Sequence, residues 1–501
     1  MPVLWRIAFR NIWEHKAKSL IIGTLIVLGV IVLVIGNAMI DSAKEGLRKT
    51  FIDNFTGDVM IHGPSDSVVS IFGLESMDGD IDVPSIPSYE SVLAETRARP
   101  EAAKVTSMAV AYGTLGLDET EIEQPEGESG PQNMPFAILF GVDPSTYFKM
   151  FSSIKTIQGS FLEPGKAGIM LEQTNIDKLK KKYGKTMKPG DKILITGFGS
   201  LGMRIREVEI AGIYESEGAG ENKGPPGMAY VDIDTARVIG GLTLGGTEDV
   251  KLEASQTALL DAMDEAALFG EDMVDEVKPA SSVDYEKASG ILGDTSKREI
   301  LNTADTGAWN FILVRLKNSA AAPAFIASLS ASFDRQGIDA RVTNWQGAAG
   351  TMGSFADILS VIFSIAILIV AVVAVIIMMN TLVVSVIERT GEIGTMRALG
   401  AQRGFVRKMF FAETLTLSLF FGLIGSAAAV ALSLILNALK IPAGDNGMIQ
   451  MLFGGEVLTL VPKVGSFVST VLMIFVVAYL AHLYPVAVAL KVQPVRAMQN
   501  E

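Results

Sequence analysis

Four long stretches of this chain contain no charged residue, and they constrain its fold more than any other feature. Lys18 and Asp41 bracket 22 such residues, Asp357 and Glu388 bracket 30, Glu413 and Lys440 bracket 26, and Lys463 and Lys491 bracket 27. At 1.5 Å of rise per residue even the shortest makes a helix of about 33 Å, enough to cross a hydrocarbon core of about 30 Å. All are rich in Val, Ile, Leu and Phe. The expected fold class is a membrane α-helical protein with four transmembrane (TM) helices, at 19–40, 358–387, 414–439 and 464–490. A mean hydropathy of +0.37 and a charged fraction of 19% agree with that class.

Four spans put both termini on one side, and Lys and Arg near span ends mark the cytoplasm. Arg6, Arg10, Lys16 and Lys18 precede the first span, Arg389, Arg397, Arg403, Arg407 and Lys408 separate the second from the third, and Lys491 and Arg496 follow the fourth. The 440–463 segment has only its flanking Lys440 and Lys463. The expected topology is therefore N-in/C-in in the inner (cytoplasmic) membrane. It places a loop at 388–413 and a tail at 491–501 inside, with an outer loop at 440–463 and a large domain at 41–357 outside. A cleaved signal peptide would carry an apolar core of about 7–15 residues; the longer, later run at 19–40 fits a retained anchor. Trp5, Phe9, Ile12 and Trp13 share one face of residues 1–18, which predicts an amphipathic helix in the cytoplasmic headgroup layer.

Residues 41–357 carry a net charge of −19 against +6 for the remainder. That acidity disfavours nucleic acid as a partner, and the lack of cysteine excludes disulfides and thiol chemistry. The pattern is mixed α/β, divided into a helical stalk at 41–55, a first α/β part at 56–154, a β-rich subdomain at 155–245, a second α/β part at 246–345 and a return stalk at 346–357. Within the last part, 310–315, 320–336 and 340–345 read as strand, helix and strand, with Gly337 closing the helix. Polar stretches at 63–88 and 118–133 read as surface insertions, and 283–308 shows no clear period.

Several chemical motifs dissolve on inspection. Gly197, Gly199 and Gly202 make a GxGxxG, but alternating residues follow where a nucleotide site needs a helix, so a β-hairpin is expected. Gly184, Lys185 and Thr186 mimic the end of a phosphate loop whose first glycine would fall at 179, which is Leu. His15, His62 and His482 are too scattered for a shared metal site. His482, within the fourth span, is expected to serve helix packing beside Tyr479 and Tyr484. Lys178, Lys180, Lys181, Lys182 and Lys185 form a basic run in an acidic domain. It reads as a solvated helix face, or else as an outer contact for an anionic partner.

The cytoplasmic loop ERTGEIGTMRALGAQRGFVRKMFFAE, residues 388–413, is the most informative segment. Ile393, Met396, Leu399 and Gly400 suggest a short helix with an apolar side and a glycine stop, preceded by Glu388, Arg389 and Glu392, with Arg397 on its last turn. By itself this is either a docking helix for a partner's groove or a tight basic turn. The run NTLVVSVIERTGEIGTMRALGA at 380–401 resembles the signature ERxxEIGxxRAxGA of the MacB/FtsX superfamily of ABC permeases. WRIAFRNIWEHKAKSL at 5–20, GVDPSTYF with GSFLEPGKAGIMLEQ within 141–173, and YPVAVALKVQPVRAM at 484–498 are similar to other parts of that family.

With no fused ATPase in view, and with GDVMIHG at 57–63, the chain looks closest to the LolC/LolE lipoprotein-releasing type. The resemblance implies a non-enzymatic permease that pairs with a second permease, identical or related, on two cytoplasmic ABC ATPase subunits. No cofactor is expected in this chain, with ATP and Mg in the partner ATPase. ATP-driven motion would pass through 388–400 to the outer domain, to move a lipoprotein or another lipophilic substrate. The alternatives are activation of an outer partner such as a cell-wall enzyme, and efflux of a small peptide or drug. A proton-coupled transporter would need acids within the spans, and there are none.

Overall fold

The computed structural model describes residues 16–75, 83–117, 135–152, 154–199, 202–216, 228–244, 302–388, 390–442, 453, 457–460 and 463–491. The amphipathic segment before Lys16, the loop 118–133, residues 283–301 and the tail after Lys491 lie outside them. The chain divides into two compact units, residues 1–50, 218–222 and 352–501, and residues 51–217 and 223–351.

Among the described residues, the first unit contains four helices long and apolar enough to cross a membrane. Membrane helices one to four run Lys16–Phe51, Thr351–Glu388, Arg403–Ala438 and Val464–Lys491. Helix three begins well before the expected 414, so the loop 388–413 is largely helical. Charged residues do not stop a helix; they stop only its hydrophobic run. Ile22, Ile26, Val30 and Val34, one turn apart, pack with Ala371 and Met378 of helix two, Ala429 of helix three, and Ile474 and Ala481 of helix four. Outward, Leu28, Ile365, Leu423 and Leu472 are 54–65% exposed, a surface suited to hydrocarbon. Lys44 and Asp357 pair at 3.0 Å between helices one and two.

Gly425 fixes the approach of helix three to helix one, because a β-carbon there would stand 2.9 Å from Val30 Cβ and 3.0 Å from Val27 O. Gly425→Leu is therefore expected to cost about 1–3 kcal/mol of overpacking. It should lower the thermal midpoint of the solubilised protein, whereas Leu at Gly29, where nothing lies within 4 Å, leaves it in place.

In the second unit the chain runs through β1 (Val59–His62), β2 (Val68–Ser70), β3 (Gly73–Glu75), α1 (Tyr89–Arg97), β4 (Ala102–Gly116), β5 (Phe136–Val142), α2 (Pro144–Met150), β6 (Ile154–Gly159) and β7 (Ile169–Glu172). It continues through α3 (Gln173–Tyr183), β8 (Lys192–Gly199), β9 (Gly202–Ser216), β10 (Met228–Asp232), α4 (Ile233–Ile239), β11 (Phe311–Leu316), α5 (Ala322–Gln336), β12 (Arg341–Asn344) and α6 (Trp345–Ala349). Among the described residues, ten strands form one sheet in the order β12-β1-β11-β4-β5-β10-β7-β9-β6, while β8 pairs with both β4 and β9. The circuit β4-β5-β10-β7-β9-β8 thus returns to β4, and these strands leave no open edge between them. Its core joins Ala111, Leu139, Ile195 and Ile210 to Leu179 of α3 and Ile239 of α4. The hairpin β8–β9 pairs Gly199 with Gly202, so the GxGxxG belongs to a sheet turn.

β1 lies between β11 and β12 and is antiparallel to both, with Val59 opposite Val314 and Asn344. The strand-helix-strand at the end of the domain is therefore split by the domain's first strand. Phe325, Leu329 and Phe333 of α5, four residues apart, cover Val59, Ile61, Ile312 and Val314 together with Val92 of α1. The division into serial parts at 56–154, 155–245 and 246–345 is corrected accordingly. Strands from all three share one sheet, because strand pairing joins segments distant in sequence.

Two other expectations change. Within 63–88, β2 and β3 form a hairpin whose Ile71 is fully buried and donates its N–H to Ala348 O at 2.8 Å, so this part is built into the domain. The return stalk 346–357 is interrupted, since α6 ends at Ala349 and Gly350 turns the chain at φ +59 before membrane helix two.

Tyr147, Tyr214 and Tyr230 are fully buried, with ring centroids 5.1 Å apart for Tyr214 and Tyr230 and 5.6 Å for Tyr147 and Tyr230. Burial pushes all three phenols up from their usual value of 10.0. A raised folded pKa keeps its stabilising share below about pH 10 and loses it as pH rises through the folded value. Spectroscopic titration is expected to show these phenols ionising only as the protein unfolds in alkali. One step near pH 10 for all nine tyrosines, with ellipticity retained, would count against the burial.

Candidate coupling site

Membrane helix two ends at Glu388, and a short helix, Thr390–Ala398, follows at once. Thr390 Oγ1 donates to Ile387 O at 2.6 Å, which ties the new helix to the old one. Its far end closes as a Schellman motif: Ala401 N–H donates to Met396 O at 3.0 Å and Gly400 N–H to Arg397 O at 3.1 Å. Gly400 has φ +99, where a side chain would be strained although nothing stands within 4 Å of it. Gln402, in extended conformation, then starts helix three.

Ile393 is 1% exposed and packs with Val386, Val406, Met409, Phe410 and Val486. Met396 and Leu490 flank that cluster, and Arg397 Nη1 donates to Leu490 O at 3.3 Å. The apolar side expected to meet a partner is thus partly spent within the chain, where it fixes the short helix to the ends of helices two, three and four. Leu399, 89% exposed, stands out at the glycine turn with Gly400, and Phe405, 42% exposed, follows it. Phe405 escaped sequence reasoning, though an aromatic just after a glycine stop is a usable signal. Glu388 is exposed; Arg389 and the Glu392 side chain lie outside the described residues.

The other singled-out residues do not join this site. Lys178, Lys180, Lys181 and Lys185 are exposed on or just after α3, whose opposite side buries Ile176 and Leu179, and Lys182 lies 5.1 Å from the Tyr183 ring. Among the described residues no group of three His, Asp or Glu is arranged to hold a metal. A separate groove of about 160 Å³ opens between helices one, two and four, with helix three reaching it at Ser418, and is lined by Leu25, Gly29, Leu33, Val373, Ile377 and Val477. Its polar side chains are Thr381 and Ser418.

Residues 364–494, which include the short helix, match the model of the FtsX-like permease C-terminal family, and residues 24–267 match that of the MacB-like periplasmic core domain. The chain belongs to the MacB/FtsX superfamily. The Escherichia coli macrolide export ATP-binding/permease protein MacB is 31% identical over 196 residues, 38% of this chain and 28% of that protein. MacB of Neisseria gonorrhoeae is 42% identical over 59 residues, 12% of this chain and 9% of the relative. The chain therefore spans less than a third of the length of these curated relatives. Among solved structures, the extracellular domain of the noncanonic ABC-type transporter YknZ aligns with 57% of this chain and 99% of its own, at 12% identity and a TM-score of 0.28. The family assignment rests on the two sequence matches.

Proposed function

We propose that this chain is the permease subunit of an ABC transporter, and that it carries motion from separate cytoplasmic ATPases to its outer domain. The observation that carries this reading is the short helix Thr390–Ala398, anchored by Ile393 and Arg397 yet ending in the exposed Leu399 and Gly400. An anchored helix with a projecting apolar tip can take a push and pass it to the helices that hold it. ATP and Mg belong to the partner, and hydrolysis is assigned there. A second permease completes the assembly, and the outer domain faces the periplasm or the exterior of the inner membrane.

The substrate is lipophilic on this reading. The groove lined by Leu25, Ile377 and Val477 offers hydrocarbon contact, and the spans hold no acid with which to couple a proton. The relatives are macrolide exporters by name, while lipoprotein release rests on the LolC/LolE resemblance alone. Purification of the full chain from native membranes is expected to recover an ABC ATPase, and Leu399→Asp to abolish that recovery. No ATPase with the native chain, together with unchanged function after replacing Arg397, would overturn the reading. Fractionation of lipidated proteins after depletion distinguishes lipoprotein release from activation of an outer enzyme.

A further inference from the structure

A cavity of about 500 Å³ opens between membrane helices three and four, beside the short helix but on a different surface from its exposed tip. That volume lies within the usual range for small-molecule sites, about 300–1,000 Å³. Its wall changes character along its depth. Arg407 and Lys408 stand exposed on the second turn of helix three, and among the described residues neither carries an ion pair. One turn deeper the Phe411 ring lies 4.8 Å from the His482 ring and 6.1 Å from that of Tyr479. Leu483, Val486 and Leu490 complete the inner side, and no carboxylate lines it.

The depth of this cavity follows from its neighbours. Helix three is charged from Arg403 to Glu413 and uncharged beyond, so its first turns belong to the headgroup layer. Contact with Phe411 puts His482 level with that charged stretch, about 13 Å along its helix from Lys491. His482 thus borders the interface, where the sequence had suggested the interior of the span. Two cations at the mouth, an aromatic waist and aliphatic walls are the complement of a phosphodiester headgroup with the start of its acyl chains. Basic pockets between helices at the cytoplasmic face bind anionic lipid headgroups for this reason.

We propose that this cavity is a binding site for an anionic phospholipid of the cytoplasmic leaflet, with Arg407 and Lys408 holding its phosphate. Leu490 contributes to the cavity wall, and its carbonyl accepts from Arg397, so an occupied site braces the end of helix four to which the short helix is tied.

The test uses the purified full chain, equilibrated in neutral detergent with an equimolar mixture of phosphatidylglycerol and phosphatidylcholine, with retained lipid measured by mass spectrometry. Phosphatidylglycerol is expected to be retained at least tenfold over phosphatidylcholine, and Arg407→Ala with Lys408→Ala to remove that preference. The charge-conserving pair Arg407→Lys with Lys408→Arg restores it, and Arg403→Ala, a cation on the preceding turn outside the cavity, leaves it intact. Millimolar inorganic phosphate does not displace the lipid. Equal retention of the two lipids, an equal loss with Arg403→Ala, failure of the charge-conserving pair, or displacement by phosphate would each overturn the proposal. None of these readouts depends on an ATPase, so the site stands or falls apart from the coupling reading.

Discussion

Replacing Ile393 by Asp is expected to release the short helix Thr390–Ala398 from the membrane helices that hold it. The side chain is 1% exposed among Val386, Val406, Met409, Phe410 and Val486, all apolar. Losing a buried isoleucine forfeits about 1.5–3 kcal/mol. Desolvating a carboxylate in the same place costs several more. Among the described residues the cluster has six buried members, Ile393 included, so the remaining contacts do not offset that sum. Limited trypsin digestion of the solubilised chain should then cut at Arg397 and Arg403 at least tenfold faster than in the native protein. Leu399→Asp, at a position 89% exposed, should digest like the native protein while losing any ATPase. Equal resistance of Ile393→Asp would refute the anchoring.

The second large effect lies in the outer unit, where Phe333→Ala is expected to cost about 3–5 kcal/mol. Phe333 is fully buried with Phe325 and Leu329 along α5, against the strands β1, β11 and β12. These three strands close the end of the sheet by pairing segments from opposite ends of the domain, so a cavity beneath them weakens that closure directly. Chemical denaturation followed by intrinsic fluorescence reads the shift, since Trp309 and Trp345 both lie in this unit. Phe161→Ala, at a site 40% exposed, should cost less than about 1 kcal/mol. Similar losses at the two sites would mean that α5 does not secure the sheet.

The membrane helices were legible because hydrocarbon enforces a local rule: every uncharged run of sufficient length became one. Their ends were less legible, as helix three shows by starting at Arg403 among charges that hydropathy discards. In the outer unit, local signals also sufficed for α5, whose apolar residues recur every four positions and whose end is a glycine at φ +68. Partnership between strands was not legible. Nothing in Val59–His62 names Phe311–Leu316 or Arg341–Asn344 as its neighbours, and alternation alone cannot reveal that β8 closes a circuit with β4 and β9. At the candidate coupling site the motif located the helix, but which side of it was already occupied depended on Val406 and Val486, residues of two other helices.

The position of β1 between β11 and β12 also sets a timetable. During synthesis, residues 59–62 emerge some 250 positions before either of their neighbours exists. Through that interval both edges of the strand lack their hydrogen-bonding partners, and such edges invite pairing with other chains. The six-stranded circuit can assemble earlier, since its last strand is β10 at 228–232. The sheet's terminal layer is thus the last to close, only after residue 344 has been made and just before membrane helix two follows. A nascent chain halted after β10 has emerged and before β11 is made would leave a formed circuit beside an unprotected first strand, an intermediate open to wrong pairing.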